Sequence, residues 1–418
     1  MDAPAPHPAR ELWLLFLVAL ALRVLAMVVL GSPAEVDGFS AWRWGHEPAS
    51  LADALLRGDG LADPFGRDTG PSGWLPPIYP ALVAACMWLF GGVTAGAAWA
   101  LYGVQSVASA LTAPLLLLLG RRLGAPGAGR LAAWAWVLHP LAIWYAVHKV
   151  WDTALVAAGM TGFAVLLLGS GRAPGRGRTA VLGAAFGLLL LLNPAPVGIL
   201  PAVLLYLAPE RPWTRALPRA AAFVAATALV CSPWMARNLV VLGTPGLRSN
   251  LGVELYVGNN DLADGQHRFE YHPGWTDAET ERLRELGEAE YSSACGRQAL
   301  DWIRANPGRF ASLTLTRARI VWLGELPLWD RRTFFGTTSA EDPKSWARWV
   351  LHLVGGVLGA LGALRLARRS PEHAFLVGSL VLFPLPYYVI HVLERYRFPV
   401  EPYLLLLAAA FVLSLRKR

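Results

Sequence analysis

The sequence predicts an all-α polytopic membrane protein with about ten transmembrane helices. Of its 418 residues, 55% are hydrophobic and 16% are charged, whereas about a quarter of the residues in a soluble domain are charged. Long apolar runs recur along the chain, and basic residues cluster between alternate runs. Because this topology accounts for the net charge of +8, no nucleic-acid partner is needed to explain it.

Ten apolar segments are predicted to cross the membrane, since a span needs about 20 residues. They are residues 11–30, 97–119, 131–147, 153–170, 179–193, 195–208, 220–240, 347–366, 373–391 and 400–415. The pair 179–208 is either two short spans or one unit broken at Pro194 and Pro196. The run 78–90 is too short to cross, and segment 48–58 is amphipathic, so both are predicted to be surface helices.

The basic clusters set the predicted orientation, because Lys and Arg favour the cytoplasmic side. The clusters lie at residues 121–130, 172–178, 211–219, 365–369 and 416–418. Placing them inside the cell puts both termini in the cytoplasm and the protein in the inner (plasma) membrane. The outer face then receives residues 31–96, 148–152, 241–346 and 392–399. Three regions follow: a membrane module (1–240), an outer helical segment (241–346) and C-terminal transmembrane helices (347–418).

The outer segment is predicted to hold two helices. A polar one runs from 277 to about 305, and an interfacial one runs from 307 to about 324. Together these residues are too few for a large separate catalytic domain.

Acidic residues at the outer face are candidate catalytic groups. Glu35 and Asp37 follow the first span, where a carboxylate in a partly dry cavity can act as a general base. Either of the two fits this role, and a simply solvated carboxylate is the alternative. Asp152 joins two predicted spans. It is placed to cap the helix that begins at Thr153, and a capping aspartate can also orient a substrate or a metal.

Arginines near the same face are candidate phosphate ligands, because the planar guanidinium forms two parallel bonds to phosphate. Arg23 lies inside the first span, where an arginine usually faces a polar interior, with snorkelling to the surface as the alternative. Arg237, Arg395 and Arg397 lie at outer helix ends. The last two could instead form a self-satisfied ion-pair cluster with Glu394.

Other kinds of site have less support in the sequence. His46, His267 and His272 lie on outer loops without recognisable metal-ligand spacing, so we predict no cofactor, with a divalent metal left open. Neither a phosphate-binding glycine loop after a strand nor a nucleophile elbow occurs. A transporter or flippase of lipid-linked saccharides is the alternative function, and it predicts charges near the membrane midplane.

Several motifs, taken in order, resemble one enzyme superfamily. They are the acid after the first helix, the run from Trp74 to Pro80, Pro233-Trp234 with Arg237-Asn238, Gly258-Asn259, and Arg395-Tyr396-Arg397. This set is similar to the polyprenyl-phosphate-sugar glycosyltransferases of the GT-C superfamily, of the glycosyltransferase family 39 type. That group includes protein O-mannosyltransferases and lipid A aminoarabinose transferases.

The resemblance implies an inverting glycosyltransferase that uses a polyprenyl-phosphate sugar and an acceptor hydroxyl on a glycan, lipid or protein at the extracytoplasmic face. It implies that Asp37, with Glu35 as the alternative, is the base, and that Asp152 is the acid of the second outer loop. The implied substrate-binding residues are Arg23, Tyr79, Arg237, Asn238, Asn259, Arg395 and Arg397. We expect residues 37, 152, 237 and 395 to border one cavity.

The chain departs from that family in two ways. Val36 separates the two acids that are adjacent in protein mannosyltransferases, and the chain lacks their large luminal inserted domain. Both departures leave the acceptor open.

Overall fold

The computed structural model describes residues 8–31, 33, 46–209, 213–327, 331–333 and 336–416, and these are mostly helical. The α-helices of the first half are α1 (Pro8–Val29), α2 (His46–Arg57), α3 (Ile78–Phe90), α4 (Ala95–Arg122), α5 (Pro126–Leu138), α6 (Pro140–Val147), α7 (Thr153–Gly169), α8 (Arg176–Leu192) and α9 (Leu200–Tyr206). Those of the second half are α10 (Leu217–Leu242), α11 (Leu251–Gly258), α12 (Asp277–Leu286), α13 (Glu288–Ala305), α14 (Pro307–Leu323), α15 (Pro343–Leu366), α16 (Pro371–Leu382), α17 (Leu385–Val389) and α18 (Glu401–Leu415).

Short elements complete the described chain. The 3-10 helices are Ala195–Ile199, Trp213–Arg215, Phe269–Tyr271 and Glu394–Val400. Strands β1 (Arg331–Thr333) and β2 (Gly336–Thr338) form an antiparallel hairpin.

Within the described residues, five helices are long and apolar enough to cross a membrane. They are Ala9–Val29, Ala95–Arg122, Leu217–Leu242, Pro343–Leu366 and Glu394–Leu415. Each coincides with a predicted span, and the shorter apolar helices Thr153–Gly169 and Ala195–Tyr206 coincide with two more. The all-α polytopic membrane class is therefore confirmed, while the total of ten spans stays a prediction.

Two predicted spans are not continuous helices, because proline breaks them. Segment 131–147 divides into α5 and α6 at His139, which precedes a proline and is extended with ψ 115°. The His139 Nδ1 accepts a hydrogen bond from the N–H of Ala142, 3.3 Å away, and so caps α6. Segment 373–391 divides into α16 and α17 near Pro384 and Pro386, which lack backbone donors.

The predicted polar helix from 277 to about 305 is also two helices. Gly287 separates α12 from α13 with φ +75°, a backbone conformation that side-chain-bearing residues rarely adopt. The signal was present in the sequence as a glycine between two amphipathic stretches. The helix predicted from 307 to about 324 is present as α14.

Arg23 fixes α1 to the centre of the bundle. Helix α4 packs against α1, α5 and α7, and the fully buried Arg23 guanidinium lies at this junction. Its Nε donates to Ser109 Oγ on α4 at 2.8 Å, and its Nη2 donates to the Trp136 carbonyl on α5 at 3.3 Å. The side chain thus faces the protein interior, which excludes the snorkelling alternative.

Long-range hydrogen bonds hold the connection between α2 and α3, residues 58–77, in place. The N–H of Gly73 donates to Glu288 Oε1 on α13 at 2.7 Å. Arg237, near the end of α10, donates to the carbonyls of Ser72 and Leu61, both at 2.7 Å. These contacts fix the connection between α2 and α3 against α13 and α10. A cavity lined by both parts of the chain needs them to be held together in this way.

Candidate functional site

The four segments predicted to share one face converge on a cavity of about 540 Å³. Each contributes lining residues, and the break after α8 contributes more. The polar residues that line it include His46, Glu47, Lys149, Asp152, Asn193, Arg248, Asn250, Glu254, His267, His272, Arg395 and Tyr396. A large pocket with a few convergent polar groups is the expected form of a small-molecule site.

Asp152 is a buried acid on the cavity wall. It lies in the turn between α6 and α7 and is 6% exposed. Asp152 occupies the N-cap position of α7, as predicted, but its side chain makes no capping hydrogen bond to that helix. Burial raises the pKa of Asp152, opposed by the hydrogen bond from Asn193 and by the charges of Arg248 and Arg395. The carboxylate is therefore directed to side-chain partners across the cavity.

Asn193 donates a hydrogen bond to Asp152, and the proline that follows it, Pro194, sets the backbone conformation that allows this contact. Pro194 disfavours helical geometry at the residue before it, and Asn193 leaves α8 with φ −156° and ψ 129°. Its Nδ2 then donates to Asp152 Oδ2 at 2.7 Å, while its Oδ1 accepts from the N–H of Ala195 at 2.9 Å. The break at residues 193–196 thus forms part of the site.

Arg248 and Arg395, together with Lys149, are basic residues that line the cavity. Arg248 lies in the loop between α10 and α11, and Arg395 lies in the 3-10 helix before α18. The Arg395 guanidinium stacks over the Trp151 ring, 3.9 Å from its centroid. Both arginines act to lower the pKa of Asp152 and of Glu254. Both arginines line the cavity together with the two acids, and we call them the cationic centre.

Glu254 is another acid of the cavity, and its side chain is partly buried, with 18% exposed. It lies on α11, and its Oε1 accepts a hydrogen bond from Asn250 Nδ2 at 2.9 Å. Its Oε2 lies 3.5 Å from His391 Nδ1. Burial raises the pKa of Glu254 to about 7. The carboxyl group is therefore held in a fixed orientation and titrates near neutral pH.

One side of the cavity is a wall of histidine and aromatic rings, formed by His267, Phe269, His272 and Trp275. Ring centroids are 5.2 Å apart for His267 and His272, and 5.1 Å apart for Phe269 and Trp275. Burial lowers the pKa of both histidines, so both imidazoles are neutral at pH 7. We call this set the histidine–aromatic wall.

The predicted binding residues are only partly brought together. Asp152 and Arg395 line the cavity, as expected, whereas Arg237 does not. Arg237 and its neighbour Asn238 support the surrounding loops instead, and Asn238 Nδ2 donates to the carbonyl of Gly246 at 2.8 Å. The fourth residue of the expected set, Asp37, lies outside the described residues, as does Glu35.

The other predicted substrate ligands lie away from the cavity and bond to protein groups. Tyr79 donates to Gln105 Oε1 at 2.6 Å, and Asn259 Nδ2 donates to the carbonyl of Val389 at 2.9 Å. Arg397 is paired with Glu401, with Nε 2.8 Å from Oε2. Arg23 is bonded within the bundle, as described above. Tyr79, Asn259, Arg397 and Arg23 therefore connect helices and loops to one another through these hydrogen bonds.

Sequence reasoning missed several cavity residues, among them Asn193, Arg248, Glu254 and Phe269. The Pro194 signal pointed to the first, since a residue before proline leaves the helix. Arg248 and Glu254 flank Asn250 at a loop–helix boundary, which offers no periodic or motif signal. Among the described residues, no group of three or more His, Cys, Asp or Glu side chains is placed to hold a metal ion.

No protein-family model matches the sequence, and no curated protein matches it. The structure is similar to the archaeal oligosaccharyltransferase AglB from Archaeoglobus fulgidus in complex with an inhibitory peptide and a dolichol-phosphate. The TM-score is 0.54 at 14% identity, over 98% of this chain and 50% of that chain. The apo form of the Archaeoglobus fulgidus oligosaccharyltransferase gives a TM-score of 0.53 at 16% identity, and the match covers 97% of this chain and 50% of that one.

ArnT from Cupriavidus metallidurans in the apo state gives a TM-score of 0.48 at 15% identity, over 93% of this chain and 59% of that one. The chain spans about half the length of the oligosaccharyltransferases that it matches. Its similarity to them covers nearly all of the present chain. The fold of this chain is therefore similar to that of the part of these oligosaccharyltransferases that it matches.

Proposed function

We propose that this protein is an inverting glycosyltransferase of the membrane, which moves a sugar from a polyprenyl-phosphate donor to an acceptor hydroxyl at the extracytoplasmic face. The observation that carries the proposal is that Arg248, Arg395 and the buried Asp152 line one cavity of a GT-C-like fold. A related structure holds a dolichol-phosphate, which supports a lipid-phosphate donor.

The arginines account for the leaving group. The donor phosphate binds at Arg248 and Arg395, whose guanidinium groups stabilise the charge that grows on phosphate oxygen as the glycosidic bond breaks. Arg395 is held in place by its stack on Trp151. Fixing the donor beside the acceptor supplies a further part of the rate enhancement.

Asp37 is the proposed base, with Glu35 as the alternative. The carboxylate takes the proton of the acceptor hydroxyl, and the acceptor oxygen forms a bond to the anomeric carbon from the face opposite the phosphate. The bond from that carbon to phosphate oxygen breaks, and the lipid phosphate leaves with the electron pair. Asp152 orients the substrate beside the arginines by accepting a hydroxyl hydrogen bond.

The test is sugar transfer by the full chain in lipid nanodiscs supplied with labelled polyprenyl-phosphate sugars and a panel of glycan, lipid and peptide hydroxyl acceptors. We expect Asp37→Asn to lower turnover by about 10²–10⁴-fold, as loss of a general base does. Asp59→Asn, at an exposed ion pair with Arg57, is the matched control and should keep activity. Turnover by Asp37→Asn at the wild-type rate would show that Asp37 is not the base. Transfer from a nucleotide sugar in the absence of lipid would show that the donor is not a polyprenyl-phosphate sugar.

A further inference from the structure

The cavity that holds the cationic centre is lined by two chemically different groups of residues, which we call its two sides. Asp152 and Asn193 form one side. Glu254 and the histidine–aromatic wall form the other. Arg395 lines the same cavity as Asp152, Glu254 and His267. A ligand whose phosphate binds the arginines therefore extends toward one side or the other.

The wall side offers uncharged hydrogen-bonding groups in a largely dry surface. His272 is 3% exposed, and its Nδ1 accepts a hydrogen bond from the N–H of Gly274 at 3.1 Å. The proton of this neutral imidazole is therefore on Nε2, which is a donor. His267 Nδ1 is buried and has no hydrogen-bond partner among the described residues. His267 and His272 both line the cavity, so a ligand bound on this side meets their imidazole rings.

Aromatic rings lie next to these polar groups. Phe269 and Trp275 line the cavity, and their ring centroids are 5.1 Å apart in an edge-to-face arrangement. Glu254 adds a carboxylate that Asn250 already holds in place. The combination of apolar ring faces, neutral imidazoles and one oriented carboxylate fits a ligand with both C–H faces and many hydroxyl groups.

Other parts of a lipid-phosphate donor fit this side poorly. A phosphate group would face the Glu254 carboxylate, and like charges repel. A polyprenyl tail would leave the polar atoms of His267 and His272 without partners. A sugar ring meets both requirements, since each hydroxyl donates and accepts, and the C–H groups of the ring cover aromatic faces.

The wall is also fixed relative to the cationic centre. The His272 ring packs edge-to-face against Phe65 and Trp74, with centroids 5.5 Å away in each case. The N–H of Val392, three residues before Arg395, donates to the carbonyl of Gly265 at 3.1 Å. The backbone that carries Arg395 is thus bonded to the segment that carries the wall, so two parts of one ligand would meet preset positions.

Resting on the proposed function, we infer that Glu254, His267, His272 and Trp275 form the subsite for a pyranose ring. Its hydroxyl groups bond to the carboxylate and imidazoles, and its C–H face lies on the aromatic rings. The ring belongs either to the donor sugar or to a saccharide acceptor, and binding measurements with separate lipids distinguish the two.

The experiment compares three probes on the full chain in nanodiscs: undecaprenyl phosphate, undecaprenyl-phosphate-mannose and soluble methyl mannoside. The variants are Glu254→Gln and Trp275→Leu. Matched controls are Glu270→Gln, an exposed acid of the same segment, and Trp302→Leu, whose ring nitrogen bonds Asp261 away from the cavity. For a donor-sugar subsite, Glu254→Gln and Trp275→Leu should each weaken binding of the mannose-bearing lipid by about tenfold. The first variant loses the charge of a hydrogen-bond acceptor, and the second loses the aromatic face that covers the ring. Binding of undecaprenyl phosphate should stay within about twofold of the wild type.

The acceptor arm gives a different pattern. If the ring belongs to the acceptor, Glu254→Gln and Trp275→Leu leave the binding of both lipids unchanged. The two variants then weaken the binding of methyl mannoside instead. Equal weakening of the bare and mannose-bearing lipids, or no change with any probe, would overturn the inference. Sugar-dependent binding without any transfer would leave the subsite standing and remove the proposed enzyme activity, so the two failures are distinct.

Discussion

Asn193 Nδ2 donates a hydrogen bond to Asp152 Oδ2 at 2.7 Å, joining two residues that lie 41 positions apart in the chain. The contact connects the proline break after α8 to the turn before α7. Because Asp152 is buried, the bond opposes a desolvation that raises the pKa of its carboxyl group. The break in the helix therefore helps to keep this acid ionised.

Replacing Asn193 by leucine should shift the acid limb of the activity profile to higher pH. The hydrogen bond from Asn193 lowers the pKa of Asp152, so its loss raises that pKa further. If the ionised carboxylate orients the substrate, Asn193→Leu needs a higher pH to reach half-maximal kcat/KM, and activity recovers once Asp152 ionises. The measurement is kcat/KM across the acid range in nanodiscs.

Asn306→Leu is the control for that shift, since Asn306 bonds the carbonyl of Trp302 at the end of α13, away from the cavity. A uniform fall in activity at every pH would mean that Asn193 acts on the fold and leaves the ionisation of Asp152 unchanged.

Neutralising either cavity arginine should weaken binding of the lipid phosphate. Hydrogen bonds to charged groups contribute about 1.5–3 kcal/mol, so Arg248→Gln and Arg395→Gln should each raise the Kd for undecaprenyl phosphate by about ten- to a hundredfold. Arg395→Lys should recover only part of the loss, since lysine keeps the charge without the planar group that stacks on Trp151.

The comparison variant for those arginines is Arg57→Gln, in an exposed ion pair of α2 where surface charge contributes little. If both cavity variants bound undecaprenyl phosphate with wild-type affinity, the phosphate would have to bind somewhere other than this cavity.

The fold class and the converging segments were accessible from sequence because hydropathy and positive charge are patterns along the chain. Asp152 and Arg395 fall on segments that this pattern assigned to one face, and the structure brings both to one cavity. Side-chain direction was not accessible in the same way. Arg237 and Arg397 carry the right chemistry at the right helix ends, yet their guanidinium groups turn to backbone carbonyls and to Glu401.

Local helix breaks were the other main difference. A hydropathy window reads 131–147 as one span, while the restriction that Pro140 places on His139 divides it. Glu254 shows the limit of motif reasoning, because its place in the site depends on how α11 packs and on Asn250 and His391. No residue near it in sequence signals a cavity.

Glu254 should make the protein less stable as pH rises toward neutral. Its folded-state pKa of about 7 lies above the ordinary value of 4.5, so between these values the folded state binds more protons than the unfolded state. Stability from this group is therefore present below about pH 4.5 and is lost as pH rises to 7. Glu254→Gln removes that loss, so the variant's Tm minus the wild-type Tm should be more positive at pH 8 than at pH 5.

Thermal unfolding in detergent at the two pH values measures the difference, with Glu270→Gln as the exposed control. A Tm difference for Glu254→Gln that is the same at both pH values would contradict a raised pKa at this position.

The buried pair of Arg397 and Glu401 provides a test of whether Arg397 binds substrate or holds the fold. The side chains are joined by two hydrogen bonds, Nε to Oε2 at 2.8 Å and Nη2 to Oε1 at 2.9 Å, and a third nitrogen, Nη1, donates to the carbonyl of His352 at 3.0 Å. Removing one partner of a buried pair typically costs about 3–5 kcal/mol, because the other charge is left uncompensated.

We therefore expect Arg397→Met to lower Tm strongly and Arg397→Met with Glu401→Leu to recover most of the loss, since a well-packed apolar pair can replace a buried ion pair. Arg304→Met, at an exposed pair with Asp301, should change Tm little. The double variant should also bind undecaprenyl phosphate like the wild type, because Arg397 does not line the large cavity. A double variant that regains its Tm but loses lipid binding would instead assign Arg397 to the substrate, as the sequence resemblance implied.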